Sequence, residues 1–292
     1  MLKSVYLLLP IPFGISIINT AFFSVLVLQK ITIVVALVCS LTEASHKKGL
    51  AVSDGDRRHR RCGDEKLFTN VHWWYDWHTY PWKHTLHKCS HNLKQGYVPM
   101  VWGWRPDVDT PIHLLSQSRY VLGFNEPNHE KQSKMSPRAA ARHWKVLQKK
   151  AHGKILVSPA VAPCASCEYG PIEWLDEFFK LCRHCRVDHI ATHSYRCEAS
   201  ETMVYLNQLW QRYKKPIWLT EFACPQDKSA ADQLQFMKQI LPLLESADYV
   251  FRYSWFVSRN TENLFTTKAV SLLHQNSKEL TTLGKYYNDF DG

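Results

Sequence analysis

The sequence predicts an α/β fold: a single catalytic (β/α)8 TIM-type barrel that follows an N-terminal targeting segment and a linker. Apolar runs typical of buried strands recur along the chain, and helical patterns lie between several of them. This alternation indicates parallel strands joined by right-handed helical crossovers. The chain has 292 residues, which fits one barrel of about 200–250 residues after an extension.

Residues 1–44 are predicted to be a signal peptide or an N-terminal membrane anchor. Lys3 precedes an uncharged run over residues 4–28, which is long enough to span a bilayer. A second apolar run, 31–41, precedes small residues and is typical of a secretory h-region with its cleavage site. The first pattern favours attachment to a membrane through residues 4–41, and the second favours secretion. Both place the rest of the chain outside the cytosol.

Residues 45–66 are predicted to be a basic polar linker, because they are charged and contain few large apolar side chains. The run from Arg58 to Arg61 has the spacing that secretory proprotein convertases favour, so this linker is either processed or simply solvated. The barrel is then assigned to residues 67–292. The formal net charge is +10, but no basic stripe interleaved with aromatic residues follows, so nucleic acid is not an expected partner.

Cysteine usage indicates disulfides. Eight of the nine cysteines lie outside the targeting segment: Cys62, Cys89, Cys164, Cys167, Cys182, Cys185, Cys197 and Cys224. An even number on a chain predicted to leave the cytosol is typical of disulfide pairing. The alternative is zinc, because two Cys-x-x-Cys pairs are present. A helical pattern between these pairs argues against a zinc ribbon, which needs both pairs on tight turns.

The elements of the predicted barrel follow in chain order. Strands are expected at residues 67–75, 97–102, 120–124, 154–158, 187–191, 217–220, 249–256 and 270–273. Helices are expected at 137–150, 171–182, 200–213 and 230–244. The first helix has the clearest start, because Ser136 is a capping residue and Pro137 then occupies the first helical position.

Two glutamates stand where predicted strands end. Glu126 follows the run 120–124, and Glu221 follows the run 216–220. The carboxyl ends of barrel strands carry the chemistry of this fold. A pair of carboxylic residues is also what cleavage of a glycosidic bond requires. Asn125, beside the first glutamate, has an amide that can hydrogen-bond a sugar hydroxyl near the reacting carbon.

A third strand end carries His193 and Tyr195. Either side chain could hydrogen-bond a nucleophilic carboxylate at the barrel mouth and keep it ionised. The alternative is a buried structural histidine beside a half-buried tyrosine.

Taken together, the motifs resemble glycoside hydrolase family 128, whose members contain the Asl1-like glycosyl hydrolase catalytic domain. Seven motifs occur in the family's order: WWYDW at 73–77, VPMVWG at 98–103, LGFNEPN at 122–128, VSPA at 157–160, DHIAxHxY at 188–195, WLTEF at 218–222 and YSWF at 253–256. The resemblance covers about residues 67–290.

The resemblance implies a retaining enzyme that acts on β-1,3-glucan. It implies that Glu126 is the acid/base, Glu221 the nucleophile, and Asn125 a ligand of the sugar 2-hydroxyl. His193 and Tyr195 would support Glu221. Aromatic candidates for sugar stacking are Trp74, Trp102 and Trp255. No metal or organic cofactor is expected, and we expect a monomer whose partner is a β-glucan polysaccharide or oligosaccharide.

Two alternatives remain at this point: a β-glucan-binding protein without activity, or a hydrolase of another β-linked polysaccharide. Ser194 departs from the aromatic residue common at that position in the family. In the barrel clan that the motifs resemble, the acid lies on the fourth strand and the nucleophile on the seventh. Here they lie on the third and sixth predicted strands, so either a strand is hidden or the barrel begins elsewhere.

Overall fold

The structure is a computed structural model that describes residues 45–53, 63–81, 95–104, 112–164, 166–225, 228–260 and 266–292. Ser45–Gly292 is one compact unit. The predicted targeting segment, the Arg58–Arg61 run, Cys62 and Cys89 lie outside the described residues, so these predictions stay untested. Within the described part of the chain, no helix is both long and apolar enough to cross a membrane.

A parallel sheet of seven strands forms the centre of this unit. The strands are β1 (Lys48–Ala51), β2 (Trp73–Tyr75), β3 (Tyr120–Leu122), β4 (Ile155–Val161), β5 (His189–Ser194), β6 (Ile217–Phe222) and β7 (Val250–Trp255). Their order is β2-β1-β7-β6-β5-β4-β3, and every neighbouring pair is parallel. All six residues of β6 are buried, as is typical of parallel strands covered on both faces.

Residues 97–101 hydrogen-bond to both edge strands of this sheet. Tyr97 forms a parallel bridge with Trp74 of β2, and Met100 forms one with Leu122 of β3. The amide of Val98 donates to the carbonyl of Trp74 at 2.9 Å, and the amide of Leu122 donates to that of Pro99, also at 2.9 Å. One segment thus provides hydrogen bonds to the outer edges of both β2 and β3.

Among the described residues, five α-helices accompany the sheet: α1 (Pro137–Lys150), α2 (Pro171–Leu181), α3 (Ala199–Tyr213), α4 (Ala230–Ser246) and α5 (Thr282–Asp289). The Ser136 hydroxyl caps α1 by accepting from the amide of Ala139. Ser229 and Asp232 form a reciprocal capping box on α4. The four predicted helices are confirmed within two residues at each end, and α5 was not predicted.

The prediction that residues 45–66 form a linker is wrong at its N-terminal end, because Lys48–Ala51 is β1, between β2 and β7. The charged start of this segment concealed the strand. The Lys48 ammonium group is buried and donates to the carbonyls of Tyr287 and Asn288 at the end of α5. The Lys47 ammonium group donates to carbonyls at the end of α4. Both charges therefore cap helices.

The predicted strand at 270–273 is also wrong. Lys268–Val270 forms a single 3-10 turn, and Leu273 makes only an isolated antiparallel bridge to Leu280. The apolar residues of this run are buried because the segment packs under α5, where a Cβ on Gly284 would clash with the carbonyl of Leu272.

Disulfide pairing is confirmed for six cysteines. The pairs are Cys164–Cys167, Cys182–Cys185 and Cys197–Cys224. Each Cys-x-x-Cys pair is closed on itself, so its sulfurs are not available to zinc.

Candidate active site

Three ionisable side chains meet at the carboxyl edge of the sheet. Glu126 lies four residues beyond β3, His193 is the penultimate residue of β5, and Glu221 is the penultimate residue of β6. His193 and Glu221 are partners in the register of β5 and β6. Because the strands are parallel, their carboxyl ends share one edge, and residues far apart in sequence converge there.

The chain reaches Glu126 through a close backbone crossing. A Cβ on Gly123 would lie 2.7 Å from the backbone nitrogen of Pro159, so only glycine allows β3 and β4 to approach in this way. The Glu126 amide then donates to the carbonyl of Ala160 at 2.7 Å. Glu126 itself has a φ of 41°, in the left-handed region that costs a non-glycine residue about 1 kcal/mol or more. Strain of this kind is concentrated at functional positions.

His193 lies between the two glutamates. Its Nδ1 is 2.8 Å from Oε1 of Glu126 and 3.5 Å from Oε2 of Glu221. One carboxylate oxygen from each glutamate and one imidazole nitrogen all lie within 4.8 Å of one another. His193 is fully buried, and Glu126 and Glu221 are 9% and 5% exposed, so the cluster contains two carboxyl groups and one imidazole almost removed from water.

Two further donors point at Glu221. The indole Nε1 of Trp77 donates to Oε1 at 2.8 Å, and the Tyr195 hydroxyl donates to Oε2. Burial, reinforced by the charges of Glu221 and Glu126, raises the pKa of Tyr195 well above its usual value, so the phenol keeps its proton. A second phenol, Tyr75, donates to the carbonyl of Thr220 at 2.8 Å and supports the strand beneath the carboxylate.

Opposing effects set the charge of the cluster. Burial raises the pKa of Glu221, and the charge of Glu126 adds to this rise. His193 and the hydrogen bonds from Tyr195 and Trp77 oppose it. Burial alone would lower the pKa of His193, but attraction to Glu221 and the hydrogen bond with Glu126 outweigh burial and raise it. The imidazole is therefore biased toward its protonated form.

The same three side chains have the donor types of a metal site. Their donor atoms are already used within the protein, however. Both oxygens of Glu221 accept hydrogen bonds from Trp77 and Tyr195, and Nδ1 of His193 bonds to Glu126. Coordination would have to break these bonds, so the arrangement fits proton transfer better than metal binding.

A cleft of about 1430 Å³ opens above the cluster. Its lining combines Glu126 and Glu221 with aromatic side chains and with charged residues of the loops that follow β3 and β4. The aromatic members are Trp77, Trp102, Tyr169, Trp174, Tyr195 and Phe256. An open groove with aromatic walls and a few convergent polar groups suits a polymer of sugar rings.

The structure brings together six of the predicted site residues around this cleft, of which Trp102 is described below. Asn125, Glu126, Tyr195 and Glu221 line it, and His193 lies directly beneath the two carboxylates. His193 is nearer to Glu126 than to Glu221, whereas it was predicted to support Glu221. The Asn125 amide donates to Gln132 at 3.3 Å. Its Oδ1, like Nε2 of His193, is buried and has no hydrogen-bond partner among the described residues.

Of the three predicted stacking tryptophans, only Trp102 lines the cleft. Trp255 is fully buried, donates to the carbonyl of Val270 and packs on Phe222, so it cannot contact a substrate. Trp74 is also buried, and its indole donates to the carbonyl of Gln95. Both were expected at the mouth from the family resemblance, but Trp74 lies within β2 and Trp255 is the last residue of β7, and both side chains belong to the core.

The cleft residues that sequence reasoning missed include Trp77, Gln132 and Phe256. Trp77 and Phe256 could have been found from the positions of the strand ends, because both residues follow a strand closely: β2 ends at Tyr75 and β7 ends at Trp255. The next side chains along each strand direction then point at the mouth. Trp77, with a φ of 61°, is held in the left-handed region as Glu126 is. No sequence pattern indicated Gln132.

Comparison with known proteins places these features in context. A family model described as a glycosyl hydrolase catalytic core matches residues 49–287. Alkali-sensitive linkage protein 1 of Schizosaccharomyces pombe is 28% identical over 228 residues, which are 74% of this chain but only 39% of that protein. The chain therefore spans about two fifths of this relative.

Solved structures are similar over almost their whole length. An endo-β-1,3-glucanase of glycoside hydrolase family 128, subgroup II, from Sorangium cellulosum is 34% identical, with a TM-score of 0.69; the match covers 83% of this chain and 98% of that one. A subgroup I endo-β-1,3-glucanase from Amycolatopsis mediterranei, in complex with laminaritriose, is 27% identical, with a TM-score of 0.65, and the match covers 84% and 99% of the two chains.

Proposed function

This chain belongs to the glycosyl hydrolase catalytic core family, within glycoside hydrolase family 128, and on that premise we propose that it is a retaining β-1,3-glucanase. The chain is a glycosidase. The substrate follows from its relatives: the enzyme from S. cellulosum is a β-1,3-glucanase, and the enzyme from A. mediterranei binds laminaritriose.

The carrying observation is the short separation of two buried carboxylates. One oxygen of Glu126 and one of Glu221 lie within 4.8 Å. Retaining glycosidases hold their carboxyl groups about 5–5.5 Å apart, whereas inverting enzymes need about 6.5–9.5 Å to admit a water molecule. The spacing supports direct attack on the anomeric carbon by one carboxylate.

In the proposed mechanism, Glu221 attacks the anomeric carbon while Glu126 protonates the departing glycosidic oxygen. A covalent glycosyl-enzyme forms, and Glu126, now deprotonated, removes a proton from the water that hydrolyses it. Hydrogen bonds from Trp77 and Tyr195 stabilise the Glu221 carboxylate and orient it for attack. Both donors retain their protons, so neither competes for the role of acid.

His193 is proposed to maintain the proton at the acid end of the site. Its Nδ1 is bonded to Glu126, and its pKa is raised, so the pair can share one proton 2.8 Å apart. That proton remains within reach of the leaving oxygen. His193 does not itself reach the cleft, so it is a positioning residue and not a catalytic one.

We assign recognition of the sugar to Asn125 and to two aromatic residues that line the cleft. The buried Oδ1 of Asn125 can accept a hydrogen bond from the sugar 2-hydroxyl. This hydrogen bond strengthens as positive charge develops on the sugar ring. Trp102 and Phe256 offer aromatic faces along the cleft for sugar stacking.

We extend the proposal to the barrel. If residues 97–101 are counted as a strand position, β1 to β7 and this segment make eight, and the ring closes between β2 and β3. Glu126 then follows the fourth position and Glu221 lies on the seventh. This count agrees with the clan pattern named above, and it accounts for the predicted positions three and six: β1 had been taken for a linker.

Secretion, or anchoring to a membrane with the catalytic unit outside the cytosol, remains a proposal from residues 1–44 alone. A monomeric state also remains a proposal. Sequencing the N-terminus of the mature protein distinguishes the two forms. A start near residue 45 indicates cleavage, and a retained Met1 in the membrane fraction indicates an anchor.

The test of function is the release of reducing ends from linear β-1,3-glucan, with mixed-linkage, β-1,4- and β-1,6-glucans alongside. We expect cleavage of the β-1,3 polymer by the wild type and none by Glu221→Ala. The β configuration of the first product, read by proton NMR before mutarotation, tests retention.

Glu130→Ala is the matched control, because Glu130 also lines the cleft but pairs with exposed Lys134 at its rim and not with the buried cluster. It should keep its activity. Cleavage of only another β-glucan would overturn the substrate and keep the mechanism. Binding of β-1,3-glucan without turnover by folded wild-type protein would contradict the proposal and favour a β-glucan-binding protein.

A further inference from the structure

We propose that the Cys197–Cys224 disulfide is a positioning element of the active site, which holds the Tyr195 hydroxyl against the Glu221 carboxylate. The inference rests on the proposed function, because it assigns the disulfide a part in preparing the nucleophile.

The disulfide joins the two loops that carry these side chains. β5 ends at Ser194, so Tyr195 is the first residue of its loop, and Cys197 follows two residues later. On the neighbouring strand, Cys224 lies three residues after Glu221. The last backbone bond between the strands runs from the amide of Ala223 to the carbonyl of Ser194 at 3.3 Å. The disulfide therefore continues the connection where the strand ladder stops, with the two Cα atoms 4.7 Å apart.

One half of the disulfide is fixed to the body of the protein. Cys224 is fully buried, and its amide donates to Oε1 of Gln233 at 3.0 Å. The amide group of Gln233 donates in return to the carbonyl of Cys224 at 3.1 Å. Because Gln233 belongs to α4, these hydrogen bonds fix Cys224 to that helix. Through the disulfide, Cys224 in turn restrains Cys197 and the loop that carries Tyr195.

Apart from the disulfide, the start of the loop on the other side is held by non-covalent contacts: the ring of Tyr195 meets that of Phe256 edge-on, and the guanidinium of Arg196 lies 5.9 Å from the ring of Tyr205. Arg196 and Glu198 are exposed, and Arg196 pairs with exposed Glu201 at 3.5 Å, an ion pair of small energetic value. Release of Cys197 would let this loop move away from β6. Because hydrogen bonds weaken steeply with distance and angle, the bond from Tyr195 to Glu221 would be the first functional interaction to break.

Rupture of that hydrogen bond has a defined chemical consequence. The bond from Tyr195 favours the ionised form of Glu221 and opposes the effect of burial on its pKa. Without it, a smaller fraction of the nucleophile is ionised at a given pH, and its orientation is less restricted. Turnover should fall, while binding of the sugar chain along the aromatic cleft should change little.

The chain offers a matched control in Cys182–Cys185. This disulfide follows α2, at the end of the helix that faces the opposite edge of the sheet from the glutamates. Cys164–Cys167, in contrast, lies in the cleft wall and could affect substrate binding directly. Removal of Cys182–Cys185 therefore controls for the loss of a disulfide in general.

The experiment compares C197A/C224A with C182A/C185A and with wild type in hydrolysis of β-1,3-glucan. We expect C197A/C224A to lose about 10-fold or more in kcat with KM within about twofold, as for loss of a positioned group. The acidic limb of its kcat/KM profile should move to higher pH. C182A/C185A should match the wild type in both respects.

A double-mutant cycle with Tyr195→Phe identifies the route of the effect. If the disulfide acts through Tyr195, its removal should have little further effect on kcat in the Tyr195→Phe background. Fully additive losses, an unchanged acidic limb or equal losses in C182A/C185A would each overturn the inference.

A readout independent of turnover separates this inference from the proposed function. The indole Nε1–H of Trp77 donates to Glu221, so its ¹H–¹⁵N resonance should respond to ionisation of that carboxylate. The pH midpoint of this resonance should rise in C197A/C224A and not in C182A/C185A. A midpoint that does not move contradicts the inference even if the wild type hydrolyses β-1,3-glucan, and a shift supports it even if β-1,3-glucan proves the wrong substrate.

Should C197A/C224A fail to fold, the folded wild type can be reduced with dithiothreitol, which converts the disulfide to two thiols. Alkylation of Cys197, measured by peptide mass, then gives the fraction opened. The Trp77 midpoint should rise in proportion to that fraction. A midpoint that is independent of the opened fraction would overturn the inference.

Discussion

Two buried charge clusters in this protein are built in opposite ways. In the first, the carboxylate of Asp64 meets the guanidinium of Arg259 in a two-pronged ion pair, with N···O distances of 2.6 and 2.8 Å. The remaining guanidinium donors reach the carbonyls of His274 and Ser277. Both side chains are almost fully buried. Charge and hydrogen bonding are therefore balanced within this cluster.

The second cluster, formed by Glu126, His193 and Glu221, is not balanced. Two carboxyl groups share one imidazole, and within the part of the chain that the structure describes, the buried Nε2 of His193 and Oδ1 of neighbouring Asn125 have no hydrogen-bond partner. Burial of such groups destabilises the fold, and a role in binding a substrate or in a reaction explains why that cost is tolerated. Burial of charge alone therefore does not identify a functional site. Buried polar atoms that lack hydrogen-bond partners beside an open cleft are the feature that distinguishes the functional cluster.

The comparison is tested most strongly by Glu221→Gln, which keeps the shape of the side chain and removes the nucleophile. We expect turnover on β-1,3-glucan to fall by roughly 10³-fold or more, while the protein stays folded. Reducing-end release and circular dichroism measure the two quantities. Near-normal turnover in the variant would refute the assignment of Glu221.

Arg259→Met tests the balanced cluster. It leaves the Asp64 carboxylate buried without its partner, so we expect the free energy of unfolding to fall by about 3–5 kcal/mol. Activity per folded molecule should be retained, because the pair does not line the cleft. Urea denaturation measures the loss, and the double variant Asp64→Asn/Arg259→Met should recover part of it. A loss below about 1 kcal/mol would show that this cluster is not structural.

A finer test is Tyr195→Phe, which removes one hydrogen bond from the unbalanced cluster. Such a bond to a charged group contributes about 1.5–3 kcal/mol, so kcat/KM should fall roughly 10- to 100-fold. Because the bond lowers the pKa of Glu221, the acidic limb of the profile should move to higher pH. A uniform loss at every pH would instead indicate that Tyr195 affects only orientation or substrate contact. Tyr205→Phe, another buried phenol whose partner is Thr192, is the control.

The two clusters also differ in how far the sequence predicts them. Glu126 and Glu221 could be predicted because strand ends in parallel α/β folds collect at one edge. The Asp64–Arg259 pair could not, since the two residues are 195 positions apart and neither lies in a periodic pattern. A local pattern carries no information about such a long-range pair.

Within the site, the prediction of cleft residues is limited by how exactly the strand ends can be placed from the sequence. Trp255 and Phe256 are adjacent aromatic residues, and only the end of β7 decides that the first is core and the second lines the cleft. Register irregularities between β6 and β7 add to this uncertainty, because a shift of one residue reverses the side-chain face. β1 was missed for a different reason: Lys47 and Lys48 look solvated in sequence, but their ammonium groups bind helix carbonyls.

The smallest expected effect concerns stability against pH, which should depend on the unbalanced cluster. The folded-state pKa of Glu221 is raised above its ordinary value of 4.5, and that of His193 above 6.5. In both cases the folded protein binds its proton more tightly than the unfolded chain does, so the stabilisation is fully present at low pH. It is lost as pH rises, first above about 4.5 for Glu221 and then above about 6.5 for His193.

Glu221→Gln should remove the first of these losses and weaken the second, because the attraction of Glu221 for His193 also disappears. At pH 4 the variant should resemble wild type with a protonated Glu221, whereas at pH 8 it should be the more stable protein, by on the order of 1 kcal/mol. Urea denaturation of both proteins between pH 4 and pH 8 measures the difference. If the difference does not change with pH, the carboxyl groups titrate alike in the folded and unfolded states, and the two clusters are not electrostatically distinct.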